Sequence, residues 1–158
     1  MATLKTTITE QVQLQGQQQG GTVTNNIIGV TNVVKRIVTA TTTEVGLLGF
    51  AADLTSIGST GYLAGVFAED KVKYIRITNL DGTNHIVLTF KDEDNTEFAI
   101  KLDKGKSFIY NGDVSGGLVD TMHAGGSALT VSLNDLVDIT VDADTASCNV
   151  EVFVASTD

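Results

Sequence analysis

The sequence contains no proline and no tryptophan, and its only cysteine is Cys148. Average usage near 5% would give a chain of this length roughly eight prolines. A single cysteine excludes an intrachain disulfide and a zinc site made of several cysteines. No apolar run approaches the roughly 18 residues of a membrane helix, and the polar residues after Met1 lack the apolar stretch of a signal peptide. We therefore expect a soluble protein that is not exported by the standard route.

Charge is scarce as well. Charged side chains make up 18% of the 158 residues, whereas about 25% is typical of soluble domains. The 10 basic and 19 acidic residues leave a formal net charge of −9. Because such a chain offers no electrostatic footprint for phosphates or anionic lipid, we expect neither nucleic acid nor a membrane as its partner. Threonine, valine and isoleucine are abundant, and their β-branched side chains favour strands.

The first 21 residues have the composition of an extended arm. Ile8, Val12 and Leu14 alternate with Thr and Gln, which predicts a strand over Lys5 to Leu14 with one thinly buried face. A polar stretch of low complexity, residues 15–21, follows. We therefore predict an N-terminal arm over residues 1–21 and a single domain over residues 22–158. A strand with unpaired backbone needs a partner, so the arm predicts an oligomer or attachment to a neighbouring protein.

Residues 22–65 carry a less regular pattern. Residues 22–43 predict two strands that are broken near Gly29 to Asn32. The segment from Glu44 to Gly65 is rich in glycine, which predicts mostly loop with a small strand. A short helix over Phe50 to Ile57 is the alternative, although the glycines weaken it.

From Val66 onward the alternation of apolar and polar residues is regular. Strands are predicted over Lys71–Leu80, Ile86–Phe90, Phe98–Leu102, Ser107–Tyr110, Leu136–Val141 and Cys148–Val154. Asp81-Gly82 predicts a tight hairpin turn after which the strand Ile86–Phe90 returns. Similar turn signals separate the other strands, and we expect the glycine-rich residues 116–126 to form a longer connection. This spacing predicts an all-β fold, an antiparallel β-sandwich or jelly roll. Cys148 is in phase with the apolar residues of the last strand, so we predict that it lies in the core.

Several residues are of the types that bind metals, but none forms a recognisable motif. His85 and His123 lack the clustered histidines of a cupin-type site, so we interpret them as polar surface. The acidic turn from Asp92 to Glu97 has enough carboxylates for Ca²⁺ but lacks the spacing and central glycine of an EF-hand. A charged hairpin tip that resists edge pairing explains the same residues. The acidic residues from Asp142 to Asp144 leave the same two interpretations open, a Ca²⁺ site or a charged turn.

No constellation of catalytic residues is recognisable either. The sequence has no nucleophile elbow, and its glycine-rich stretch lacks the Lys-Ser/Thr of a P-loop. We therefore predict no catalytic, cofactor-binding or metal-binding residues, no cofactor, and a protein that is not an enzyme. Lys101, Lys104 and Lys106 form a small basic spot, either a solvated turn or a contact for an acidic partner.

Two segments resemble a known class of proteins. They are Lys73 to Gly82, which contains Ile-x-Ile-Thr-Asn-Leu-Asp, and Glu97 to Phe108, which ends in Leu-x-x-Gly-x-Ser-Phe. This pairing of strand and turn resembles small structural proteins of tailed bacteriophage virions. The resemblance implies a capsid cement or decoration protein on the surface of the phage head, assembled in the host cytoplasm. It also implies a homo-oligomer, a dimer or trimer, that binds the major capsid protein or another virion protein.

A second hypothesis belongs to a different class. Tyr62, Tyr74 and Tyr110 have Asn and Asp nearby, and sugars are bound by aromatic platforms and planar polar groups. The alternative function is therefore a carbohydrate- or receptor-binding β-sandwich module of a phage fibre or tail. An aromatic content of 6% and the absence of tryptophan weigh against it.

Overall fold

The described part of the chain consists almost entirely of β-strands, as its content of β-branched residues predicts. The structure is a computed structural model that describes residues 1–52, 54, 61–111 and 135–157. Its strands are β1 (Ala2–Thr9), β2 (Gln13–Leu14), β3 (Gln17–Gln18), β4 (Thr22–Val30), β5 (Asn32–Ala40), β6 (Val45–Ala51), β7 (Tyr62–Ala68), β8 (Val72–Asn79), β9 (Ile86–Asp92), β10 (Glu97–Leu102), β11 (Ser107–Asn111), β12 (Leu136–Ala143) and β13 (Cys148–Ser156). A short 3-10 turn, Glu69–Lys71, precedes β8. Within these ranges, no helix has the length and apolarity needed to cross a membrane.

Two sheets form a sandwich with the winding of a jelly roll. The five-stranded sheet has the order β10-β9-β12-β6-β7, and the four-stranded sheet has the order β11-β8-β13-β5. The connections β5–β6, β8–β9, β10–β11 and β12–β13 each pass from one sheet to the other. These eight strands thus stack in pairs as in a double Greek key, which confirms the predicted fold class. Among the described strands, only β7 departs from the antiparallel pattern, because it pairs in parallel with β6.

The core lies between the two sheets and is lined by the alternating positions of their strands. In β9 the buried residues are Ile86, Leu88, Phe90 and Asp92, and the residues between them are only partly buried. In β13 the fully buried residues include Cys148 and Val150. The alternation in the sequence therefore predicted the inward faces of these strands correctly.

The connection after β8 differs from the predicted hairpin turn at Asp81-Gly82. β8 and β9 lie in different sheets, so this segment is an arch that crosses the sandwich. Asn79 is buried and donates from Nδ2 to the carbonyl oxygens of Asn84 and Leu102. Asp81 Oδ1 accepts hydrogen bonds from the backbone N–H groups of Thr83 and Asn84, which lower the pKa of its carboxyl. The turn residues were identified correctly, but their polar side chains stabilise an arch.

For the described residues between Glu44 and Gly65, the prediction of mostly loop is wrong. β6 occupies residues 45–51 and places Leu47, Leu48 and Phe50 in the core. A register shift against β12 makes Leu47 an extra residue, so that both leucines are fully buried. Phe50 and Ala51 belong to this strand, which excludes the start of the alternative helix. The rest of that helix falls largely on residues 53 and 55–60, which lie outside the described residues.

The glycines of β6 allow a close contact that explains why the segment is a strand. The ring of Tyr62 lies over Gly46 and Gly49 on the outer surface of the five-stranded sheet. A Cβ at Gly49 would lie 2.7 Å from this ring, and a Cβ at Gly46 would lie 2.6 Å from the carbonyl oxygen of Gly61. Glycine within a strand often marks such a close approach rather than a loop.

We expect two substitutions of Cys148, to serine and to alanine, to distinguish the effect of a buried polar group from the effect of lost packing. The thiol is fully buried, its Sγ lies 3.5 Å from the carbonyl oxygen of Ala146, and burial raises its pKa. Cys148→Ser buries a more polar group whose single O–H can donate to only one of the two nearby carbonyl oxygens, those of Ala146 and His85, so we expect a loss of about 1 kcal/mol in the free energy of unfolding. Cys148→Ala should cost less, because it leaves only a small void. Urea denaturation of both variants measures this order, and an equal or larger loss for alanine would contradict it.

Candidate functional site: the N-terminal arm and the sheet face beneath it

The N-terminal residues form a long hairpin rather than a single strand. β1 pairs with β4 in antiparallel register, with Leu4 opposite Ile27 and Ile8 opposite Val23. The polar stretch after β1 folds into the tip, where β2 pairs with β3. We call residues 1–30 the arm, because β4 is paired with β1 and belongs to the same hairpin. The division into residues 1–21 and 22–158 stays a prediction.

The turn at the end of the arm explains its hairpin shape. Gln15 and Gly16 have φ angles of 51° and 79°. Two consecutive residues with positive φ are typical of the tight turns whose twist matches that of paired strands. The predicted strand over Lys5 to Leu14 is therefore divided, since β1 ends at Thr9 and β2 holds only residues 13 and 14.

The end of the arm that adjoins β5, which we call its root, packs on the outer surface of the four-stranded sheet. Val30 is buried there with Tyr74 and Ala155, and Leu4 and Ile27 pack against this second, smaller core. A hydrogen bond from the backbone N–H of Thr31 to the carbonyl oxygen of Ser156 joins the root to β13. The outward face of the sheet is thus partly apolar because it supports the arm.

The arm crosses the four-stranded sheet from one edge to the other. It leaves β5 at Thr31 and passes over β13 and β8, and Ile8 lines the same groove as Ile109 and Asn111 of β11. Between β1 and the sheet runs a groove with a volume of about 310 Å³, and residues 4–8 of β1 form one of its walls. The free edge of β1 therefore faces an open space rather than another strand of the described chain.

An ionic cluster stiffens the sheet beside this groove. Arg76 Nη2 lies 2.6 Å from Glu151 Oε1, and Lys35 Nζ lies 3.2 Å from Glu151 Oε2. The hydrogen bonds from Arg76 and Lys35 lower the pKa of the Glu151 carboxyl. Arg76 also donates to the hydroxyl of Thr78. Two cations thus share one carboxylate, which leaves this face of an acidic protein locally positive.

Beyond its root the arm exposes apolar side chains. Leu14 is 60% exposed and Val23 is 67% exposed. The other large apolar residues exposed on the arm are Met1, Ile8, Val12 and Ile28. β5 exposes Val33 and Ile37, at 50% and 62%. A two-stranded hairpin alone is only marginally stable in water, and these residues form an apolar surface that the described part of the chain leaves uncovered.

The arm and β5 also differ from the rest of the chain in charge. Residues 1–43 contain three basic residues, Lys5, Lys35 and Arg36, and one acidic residue, Glu10. The remaining residues contain 7 basic and 18 acidic side chains. Residues 44–158, which we call the body, are strongly acidic and repel the body of an approaching copy. Contacts made through residues 1–43 therefore avoid most of this repulsion.

The candidate metal ligands have other partners. His85 Nδ1 lies 3.4 Å from Asp144 Oδ2 at the arch near β12. Asp92 is buried, and its Oδ1 accepts hydrogen bonds from the backbone N–H groups of Asp94 and Thr96. This carboxylate stabilises the β9–β10 turn. Within the ranges that the structure describes, no three His, Cys, Asp or Glu side chains form a group that could hold a metal ion. His123 lies outside the described residues.

The structure does not bring the three tyrosines together. Tyr74 lies in the small core under the arm, Tyr110 packs against the main core, and Tyr62 covers the glycines of β6. Of the basic spot, Lys101 forms an ion pair of 3.1 Å with Asp103, while Lys104 and Lys106 are exposed in the following turn.

Asp138 is an unusual carboxylate that sequence reasoning did not single out. It lies in the middle of the five-stranded sheet, between Gly49 of β6 and Lys91 of β9. Its Oδ1 is buried without a hydrogen bond among the described residues. Burial raises the pKa of this carboxyl to about 6, with Glu44 and Glu97 adding to the shift and Lys91 opposing it. In the sequence it resembles any outward-facing polar residue of an alternating strand, so only the neighbouring strands reveal its burial.

Comparison with known proteins assigns no family to this arrangement. No protein-family model matches the chain, and no curated protein is significantly similar to it. The arm and the face of the four-stranded sheet are therefore the features from which a function is inferred.

Proposed function

We propose that this protein is a structural component of a tailed-bacteriophage virion, specifically a capsid cement or decoration protein that binds the assembled head. The observation that carries the proposal is the arm, which packs on the four-stranded sheet through its root and exposes apolar side chains such as Leu14 and Val23 beyond it. A hairpin of this kind gains stability when a neighbouring subunit covers it. The resemblance of residues 73–82 and 97–108 to virion proteins supports the same proposal.

Stabilisation of the head follows from selective binding. A protein that binds only the assembled lattice lowers the free energy of that state by mass action, by about 2.7 kcal/mol per site at a concentration 100 times the dissociation constant. Many copies on one particle add avidity without any new type of contact. The jelly roll supplies a rigid body, and the arm supplies the contact to a neighbour.

Purified virions of the phage that encodes this chain should contain it in many copies by quantitative mass spectrometry. Particles made without it should bind the purified protein and then resist heat better. We expect Leu14→Asn to weaken this rebinding by about tenfold, because it removes an apolar side chain from a covered interface. Sedimentation of particles with bound protein measures the loss.

A matched control is Leu80→Asn. Leu80 is also exposed, at 45%, but lies in the arch after β8, away from the arm. Rebinding of this variant should equal that of the unmodified protein. Virions that lack the chain, or equal losses for the two leucines, would refute the proposal.

A further inference from the structure

We infer that the tip of the arm binds the β5 edge of a second copy of this chain, so that copies join head to tail. This inference deepens the proposed function, on which it rests for the role of the arm in attachment. The two surfaces lie at opposite edges of the four-stranded sheet: the arm reaches β11, and β5 forms the other edge. Because the two surfaces lie at opposite edges, the arm of the receiving copy points away from the copy that it receives, so we expect a heterologous contact, which closes into a ring when the rotation between copies allows.

The β5 edge has the features of a surface that receives a strand. Among the described residues β5 pairs only with β13, so its other backbone edge is unpaired over residues 32–40. Val33 and Ile37 point outward beside this edge and are half exposed or more. β5 has neither a proline nor a register shift in its pairing, which are two of the devices that protect sheet edges from pairing. An added strand with apolar side chains would cover both the edge and these residues.

The charges of the two surfaces are complementary. Glu10 follows β1 near the tip of the arm, and its carboxylate has no ion pair or hydrogen bond with the described residues. Arg36 in β5 is exposed, and its guanidinium likewise has no ion pair within the described part of the chain. Lys35 beside it shares Glu151 with Arg76, so the β5 edge is positive overall. An acidic tip therefore fits a basic edge.

Contact between the arm tip of one copy and the β5 edge of another fits the charges better than contact between residues 44–158 of two copies. Outside residues 1–43 the chain has 18 acidic and 7 basic residues, so bodies placed side by side repel each other. The arm tip and the β5 edge have the opposite signs, and both expose apolar side chains. Like charges across an interface suppress a wrong pairing, whereas opposite charges fix the right one.

The test is a charge exchange measured on the purified full-length protein. Light scattering coupled to size exclusion should give a mass that is a multiple of the 16.6 kDa chain. Glu10→Arg and Arg36→Glu should each weaken self-association by about tenfold or more, because each places like charges opposite one another. The double variant Glu10→Arg/Arg36→Glu should restore the mass. Both positions are exposed, and thermal melts confirm that the variants remain folded.

Matched controls are Glu93→Arg and Lys104→Glu, which make the same changes in net charge at exposed turns away from the arm. They should leave the mass unchanged. A monomeric unmodified protein at micromolar concentration would overturn the inference, as would a double variant that stays dissociated. A protein that is monomeric but still binds particles would leave the proposed function in place and identify another virion protein as the partner of the arm.

Discussion

Gly46→Ala is expected to destabilise the protein by about 2–3 kcal/mol, the cost of forcing an extra methyl group into a filled space. The new Cβ would lie 2.6 Å from the carbonyl oxygen of Gly61 and 2.8 Å from a ring carbon of Tyr62. The carbonyl belongs to the backbone next to β7, so a side-chain rotation does not relieve the contact. Urea denaturation of the variant measures the loss.

Gly49→Ala serves as the comparison, because its closest contacts are all with the ring of Tyr62. Removing that ring should therefore relieve the destabilisation caused by Gly49→Ala more than that caused by Gly46→Ala. In a Tyr62→Ala background, we expect Gly49→Ala to become nearly neutral and Gly46→Ala to keep most of its cost, since the Gly61 oxygen remains. Equal rescue of both variants would show that the backbone near Gly61 moves freely, and the explanation of β6 would be wrong.

Asp138→Asn is expected to stabilise the protein at neutral pH by about 1–2 kcal/mol. The pKa of this carboxyl is raised to about 6 in the folded protein, whereas an exposed aspartate in the unfolded chain has a pKa near 3.9. The folded state therefore holds the proton more tightly, and stability falls as the pH rises from about 4 to about 6. Two pH units correspond to roughly 3 kcal/mol, and partial exposure of the side chain reduces this by about half.

The measurement is the free energy of unfolding between pH 4 and pH 8 for the unmodified protein and the variant. Asparagine has no charge to bury, so the difference between the two curves should grow up to about pH 6 and stay constant above it. Asp142→Asn removes the same charge four residues further along β12 and is the control. If both variants change the pH dependence equally, the buried position of Asp138 is not the cause.

The regular strands could be read from the sequence because the signal is local. In β9 and β13 apolar and polar side chains alternate with a period of two, and one face of each strand is buried. This alternation places Cys148 in the core and predicts the sandwich without reference to any other strand. The first 21 residues hold few large apolar side chains, which predicts an arm in the same local way, although its boundary at residue 21 stays a prediction.

Only the tertiary structure decided the features that depend on strands distant in sequence. β6 has no alternation, because a bulge buries Leu47 and Leu48 together and its glycines accommodate the ring of Tyr62. Asp81-Gly82 is an arch because β9 finds its partners in the five-stranded sheet, not in β8. Side-chain period is a property of one strand, whereas partners, sheet crossings and the burial of Asp138 are properties of several. The sequence alone therefore determined which residues are strands with one buried face, and tertiary packing decided how these strands combine and which surfaces stay uncovered.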